Sequence, residues 1–223
     1  MAFPLFLITS SIGGLIGGYI KNIRTKQQLS LSLLVIAPFC LAPLEQLVKT
    51  LPGEYTAYTY IDIEAPVDKI WENVTRVKEI KQEDDKGWIT RTLGFPRPVK
   101  AELNYEGVGA YREAVFTNGL VFHETVTEYE HRKRMMFSIK AFPHEIPSTT
   151  MDEHVVIGGK YFDVLHGEYR LEQLDESINR LHLTSRYSLS TTFNLYASWW
   201  ASLIMKDIQN NILHIEKLRS EKS

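Results

Sequence analysis

A chain of 223 residues has room for one ordinary domain and an appendage. Its 23% charged residues argue against disorder, and a net charge of −2 gives no global pointer to nucleic acid. The single cysteine, Cys40, excludes an internal disulfide framework.

The average hides an asymmetry. No charged residue occurs from Ala2 to Ile20, and Gly13/Gly17 and Gly14/Gly18 form two GxxxG pairs within that run. Such spacing lets helices approach closely in lipid. Lys21, Arg24 and Lys26 follow, and residues 29–44 are again uncharged and mostly apolar. At ~1.5 Å per residue the first run is long enough for ~30 Å of hydrocarbon. Residues 1–50 are therefore expected to anchor the chain in a membrane, with transmembrane helices over 2–20 and 29–48. Pro38 and Pro43 would kink the second helix. A secretory signal peptide is disfavoured, because the basic patch follows the first apolar run rather than preceding it. Three basic residues in the short connecting loop favour its cytoplasmic placement. That orientation puts the rest of the chain outside the cytoplasm, at a bacterial inner membrane.

After Pro52-Gly53 the chain turns charged, alternating and aromatic, which places the folded domain at 54–223. Glu54 to Glu64 alternates with period two and predicts a strand. Ala65-Pro66-Val67-Asp68 starts a helix carrying Val67, Ile70, Trp71 and Val74 at helical spacing. Val77 to Lys86 reads as a short charged helix or loop, and Leu93 to Val99 as a Gly/Pro loop. Gly107 to Ile139 holds three strand-like runs, broken at Asn118-Gly119 and at residues 130–133. Residues 144–150 form a second loop, and His154 to Ile157 a short strand. Tyr161 to Leu174 is a long strand with a bend or bulge expected at Gly167. Arg180 to Thr191 is another strand. Phe193 to Arg219 lacks proline and glycine, ends basic, and predicts one long helix with Ile208, Ile212 and Ile215 on one side.

This order predicts an α+β domain, a curved antiparallel sheet packed on a long last helix. The segments IDIEAPVDKIW, GVGAYR…F.NG…E.VTEYE, RKRMMFSI, GKYFDVLHGEYRLEQL and LTSRYSLSTTFN resemble, in order and spacing, the helix-grip superfamily. That superfamily includes START lipid-transfer domains, birch-pollen-allergen-like proteins and aromatic polyketide cyclases. The closest likeness is to its bacterial polyketide cyclase/dehydrase-like branch, SRPBCC, in a membrane-anchored subset. The resemblance implies a hydrophobic or amphipathic ligand held between sheet and helix. It implies no particular reaction and no cofactor, since the superfamily has no shared catalytic motif.

Within the hairpin, Arg112, Ala114 and Phe116 share one face, as do Phe122, Glu124 and Val126. If Arg112 and Glu124 face inward together, they can hold a carboxylate, phosphate or polar head group. A two-residue turn at Asn118-Gly119 would put them on opposite faces; a longer turn would unite them. The sequence leaves that register open. His154 is a candidate polar pocket residue or general base. Tyr169, Arg186 and Tyr187 lie on the late strands, where they could orient a ligand. Trp199 and Trp200 open the last helix, where they close the cavity, meet lipid or fill the core. His123 is expected on a solvated face. The spacing of His154, Asp163 and His166 matches no metal motif, so no metal site is expected.

The first functional expectation is a membrane-anchored binding or transfer domain for a lipid or other hydrophobic small molecule. The alternative is a cyclase- or dehydratase-type enzyme. In it Arg112 would stabilise an enolate, and His154 or Glu124 would move protons.

Overall fold

The computed structural model describes residues 52–81, 84–142, 158–159, 161–191 and 194–222, with the backbone alone at 195 and 196. The chain divides between Leu51 and Pro52. The two expected spans, at 2–20 and 29–48, lie outside the described residues, as do His154, its expected strand and the loop 144–150. No helix among the described residues is long and apolar enough to cross a membrane.

Strand β1 (Gly53–Glu64) leads into helix α1 (Val67–Thr75), with Pro66 at its N-cap. Proline suits that position because its fixed φ is already helical and its missing N–H has no helical partner to lose. Ile70, Trp71 and Val74 turn inward. Then come β2 (Arg76–Val77), α2 (Trp88–Leu93), β3 (Pro98–Leu103), β4 (Tyr111–Phe116), β5 (Val121–Glu130) and β6 (Arg134–Lys140). Two long strands, β7 (Phe162–Gln173) and β8 (Ile178–Leu189), precede the closing helix α3 (Asn194–Glu221). The strands form one antiparallel sheet in the order β1-β8-β7-β6-β5-β4-β3-β2, curled into a half-barrel with α3 against its inner face.

Burial alternates along the strands as period two requires. Arg112, Ala114 and Phe116 of β4 are buried, as are Phe122, Glu124 and Val126 of β5. Two apolar clusters fill the inner face. One gathers Ile63, Trp71, Val126, Met135, Phe137, Tyr169 and Leu213. The other gathers Ala57, Phe116, Leu120, Phe122, Tyr187 and Met205.

Three features differ from the sequence expectation. Gly167 is not the site of the β7 irregularity, because the register shift falls between Val164 and His166. Gly167 instead makes room: a Cβ there would lie 2.4 Å from the Phe137 ring. Between residues 77–86, read as a short helix or loop, and the loop expected at 93–99, the structure forms α2, while β2 takes in Val77 and β3 starts within the expected loop at Pro98. The cap of α2 explains why it escapes a local reading. The Asp207 carboxylate accepts from Thr90 N and Thr90 Oγ1, both at 3.0 Å, and comes from α3, 117 residues away. Beside it Asn211 accepts from Lys86 N at 2.8 Å and donates to Asp85 at 2.9 Å. Finally, the isoleucine row is not the face that α3 turns to the sheet. That face is Met205, Gln209, Leu213 and Glu216, with Ser220 continuing the row toward α1. The isoleucines flank it: Ile215 is 1% exposed, and Ile208 and Ile212 pack, partly buried, against the two core clusters.

The tertiary cap gives a test. Asp207→Ala removes the acceptor for two α2 donors and should cost about 1 kcal/mol, the usual scale for a lost N-cap. Amide exchange in residues 84–93 should accelerate before that of β7 and β8. Unchanged exchange at Thr90 would show that Asp207 does not hold α2.

Candidate functional site

The hairpin register decides the site. The connection from β4 to β5 is a three-residue loop, Thr117-Asn118-Gly119, closed by Phe116 N donating to Leu120 O at 2.8 Å. Asn118 and Gly119 take φ of 65° and 83°, in the left-handed region where Asn and Gly are the favoured residues. With three loop residues rather than two, Arg112 pairs directly with Glu124. Directly paired residues of an antiparallel pair share a face, so both side chains enter the interior.

There the Arg112 guanidinium is almost wholly enclosed. Its Nε lies 2.8 Å from Glu124 Oε2, although the N–H is not directed at the oxygen, so the contact is an ion pair rather than an aligned hydrogen bond. Nη1 donates to Val74 O of α1 at 3.2 Å. The group also donates toward the Tyr169 hydroxyl. Its carbon sits 5.1 Å from the Phe137 ring centroid and 5.5 Å from that of Tyr169, within cation–π range. Phe137 can lie there because Gly167, its partner on β7, has no side chain.

Glu216 of α3 completes the cluster. It is 1% exposed, and neither carboxylate oxygen accepts a hydrogen bond from any described residue. Arg219, one turn on, is committed to the carbonyls of Lys78 and Glu79. The neighbouring buried amide shows the contrast. Gln209 donates to Ala57 O at 3.2 Å and Ser185 Oγ at 2.9 Å, and accepts from Thr59 Oγ1 at 3.1 Å.

Thus four elements, β4, β5, β7 and α3, bring one guanidinium, two carboxylates and a phenol together in an apolar interior. Burial pushes Glu124 up to about 7, against the pull of Arg112. It pushes Glu216 up to about 7 in the same way, against Arg112 and Arg219. Burial also raises the Tyr169 hydroxyl to about 12. The Arg112 guanidinium is raised despite burial, which acts to lower it, because Glu124 and Tyr169 stabilise its charge. One cation offsets one carboxylate. Arg112 contacts Glu124, which favours the charged form there, but burial holds both carboxyls near 7. At neutral pH the cluster can therefore take up or release protons at two carboxyls.

The structure brings three of the sequence candidates, Arg112, Glu124 and Tyr169, into one place. Arg186 is exposed, on the opposite face of β8 from Tyr187, where it pairs with Thr56 and His166. Tyr187 is buried, stacked 5.8 Å from Tyr55. Trp200 is half-buried near the start of α3, its ring 5.1 Å from exposed Trp199. Sixteen residues separate it from Glu216, roughly 24 Å along a helix, so it takes no part in the cluster. His123 lies on the outward side of β5. Glu216 was not among the candidates. The signal that could have found it is the spacing of Gln209, Leu213, Glu216 and Ser220, one helical stripe that is mostly polar. No group of three or more His, Cys, Asp or Glu that could hold a metal occurs among the described residues.

An antiparallel sheet curled around a long C-terminal helix defines a helix-grip protein. Similar solved structures include truncated norcoclaurine synthase from Thalictrum flavum, at 11% identity over 77% of this chain and 97% of that one, TM-score 0.44. The Zhui aromatase/cyclase from Streptomyces sp. R1128 is similar at 14% identity over 76% of this chain and 94% of that one, TM-score 0.46. DynU16, a protein in the dynemicin biosynthetic locus, is similar at 15% identity over 75% and 49%, TM-score 0.41. No family model matches the chain, and no curated protein matches it by sequence. The fold assignment rests on the strand order and the helix, not on these likenesses.

The raised Glu216 carboxyl makes stability depend on pH. The folded carboxyl holds its proton up to about 7, whereas an unfolded glutamate, at 4.5, has already released it. Unfolding between those values releases a proton, so this contribution is complete below about 4.5 and is lost as pH rises through about 7. The span corresponds to roughly 3 kcal/mol for one group. His214, whose imidazole is lowered by burial, contributes a trend of the opposite sign, and Glu124, raised by burial, one of the same sign. Comparison with Glu216→Gln separates the Glu216 contribution from both. Urea titrations should find the variant close to the native chain at pH 5 and more stable by roughly 2–3 kcal/mol at pH 8. Parallel pH curves for the two proteins would mean that Glu216 carries no excess proton.

Proposed function

We propose that residues 53–222 are a binding or transfer domain for an amphipathic small molecule, lipid or lipid-like, held between the sheet and α3. In this reading residues 2–20 and 29–48 anchor the domain in a membrane and shorten the ligand's path from the bilayer. One observation carries the binding reading: a polar cluster built from four elements inside a largely apolar interior, with one carboxylate unbonded. Leaving a buried polar atom without a partner costs about 1–3 kcal/mol, and more for a charged one. A chain that satisfies Gln209 completely, on the same helix, has the means to avoid that cost. A bound ligand would supply what the fold leaves out. Ligand sites commonly take this form, an apolar enclosure with a few convergent polar groups.

A second reading, a cyclase- or dehydratase-type enzyme, draws support from the titration of Glu124 and Glu216. Carboxyls held near 7 can both give and take a proton at neutral pH. In that mechanism either carboxyl would act as general acid or base, and Arg112 would stabilise developing negative charge.

Native mass spectrometry of the full chain, purified in mild detergent, should show a one-to-one adduct with an apolar molecule that survives release from the micelle. A spectrum holding only the bare polypeptide mass across several mild detergents would count against a binding function. The anchor is tested apart from the ligand. In spheroplasts, external protease should digest residues 53–222 while the intact inner membrane protects a cytoplasmic control. Full protection of the domain would reverse the proposed orientation, and recovery of the chain in the soluble fraction would remove the anchor.

A further inference from the structure

We propose that Glu216 receives the polar end of the ligand, and that this end is a hydrogen-bond donor, a hydroxyl or an amine, rather than an anion. The inference rests on the binding reading above and specifies the class of molecule.

The obvious receiver is Arg112, since a buried guanidinium suggests a carboxylate or phosphate. Its surroundings argue otherwise. The guanidinium already faces Glu124 at 2.8 Å, donates to Val74 O at 3.2 Å, and lies beside the rings of Phe137 and Tyr169. Its one positive charge is matched by Glu124. An anion arriving there would add a negative charge beside two carboxyls that share one counter-cation. It would also have to displace the contact that joins β4 to α1.

Glu216 offers the reverse. Its two oxygens keep acceptor positions in either protonation state, about four once ionised, and none is filled by a described residue. The charged neighbours that reach it are Arg112 from β4 and Arg219 on its own helix, and neither hydrogen-bonds it. What the position lacks is donors. A hydroxyl supplies one and an ammonium up to three. The ammonium also balances the second carboxylate, giving two positive and two negative groups in the enclosed cluster. The rest of the molecule must be apolar, because Leu213, Val126 and Met135 belong to the core cluster through which α3 meets the sheet. Glu216 would then act as a specificity-determining residue, with Arg112 and Glu124 forming the fixed pair that holds the sheet side in place.

Four probes with one shared body separate the alternatives: 2-naphthol, 2-(aminomethyl)naphthalene, 2-naphthoate and 2-methoxynaphthalene. Binding to the detergent-solubilised full chain is followed by saturation-transfer NMR and calorimetry. The naphthol and the amine should bind at least tenfold tighter than the methyl ether and the naphthoate. Glu216→Gln keeps the shape and an acceptor oxygen but loses the charge. It should weaken the amine at least tenfold and leave the naphthol within about threefold. Glu216→Leu should erase the preference for both, and if that variant does not fold, the Gln variant decides alone. Tightest binding by naphthoate would overturn the proposal and assign the head group to Arg112. Equal binding of all four, or a donor preference unchanged by Glu216→Gln and Glu216→Leu, would overturn it while leaving an apolar ligand site intact. Failure of every probe to bind, the methyl ether included, would overturn the binding reading itself and this inference with it.

Discussion

One guanidinium set against two buried carboxylates is the constraint on which the rest of the domain depends. Arg112 ties β4 to β5 through Glu124, to α1 through Val74 O, and to β6 and β7 through the rings of Phe137 and Tyr169. Each tie requires a backbone detail. The three-residue loop sets the pairing that turns Arg112 and Glu124 inward, and the bare α-carbon of Gly167 lets Phe137 lie against the charge. A buried pair of this kind is not in itself a large source of stability, because desolvating both ions offsets most of their attraction. Its grip lies in the consequence of loss. Removing the arginine would leave two enclosed carboxylates with no counter-charge, a situation costing several kcal/mol unless both take up protons. The pair thus specifies which elements must meet, while apolar burial provides most of the energy for their meeting.

What could be read from the sequence follows from the range of the forces involved. Strand periodicity is local, so β1, β4 to β8 and the face shared by Arg112, Ala114 and Phe116 were legible. So were the starts of α1 and α3, marked by Pro66 and by a long run free of proline and glycine. The register was not legible, because Asn118-Gly119 suits both a two-residue and a three-residue connection. Thr117 makes the loop three residues long, and its hydroxyl accepts from Arg97 N at 2.9 Å, a partner outside the hairpin. Helix α2 was illegible for a related reason: its cap is Asp207, far along the chain. Glu216 was obscured by its neighbours. Ile208, Ile212 and Ile215 made one side of α3 look like the buried side, but α3 is covered both by the sheet and by residues 84–91. A helix covered on two sides has no single apolar stripe, and its polar inward residues are then misread as solvent-facing.

Buried polar groups in this domain fall into two kinds. Asp85 accepts from Asn211 and Gly87 and pairs with Arg97, and Asn179 donates to Ala65 O at 2.9 Å. These groups fasten loops and helix ends to the sheet, and their partners come from the backbone or from adjacent elements. Glu216 fastens nothing. Its carboxylate points among groups that serve one another, and it raises the proton affinity of the cluster without adding a bond to it. Asn179, Asp163 and Glu124 each leave one oxygen without a hydrogen-bond partner, whereas Glu216 leaves both, among the described residues. With both oxygens unbonded, it is the point where a donor from outside the fold would fit best.

The outer face of the same sheet supplies the control for this argument. There Arg180 donates to both oxygens of Asp62, at 2.6 and 2.9 Å, and lies 4.4 Å from the Tyr60 ring centroid. The Tyr58 hydroxyl meets His182 Nδ1 at 2.7 Å, and His182 Nε2 meets Glu172 at 2.9 Å. In composition this resembles the interior cluster: arginine, carboxylates and tyrosine on paired strands. In geometry it is better made, with aligned hydrogen bonds where the interior has an ion pair off its axis. Yet Arg180 and Asp62 stand in water, where salt screens them and solvent replaces either partner at little cost. Residue types and hydrogen-bond counts therefore rank the two sites in the wrong order. Enclosure reverses the ranking, because the inner carboxylates have no water to fall back on, and only there does an unfilled hydrogen bond make a demand on a ligand.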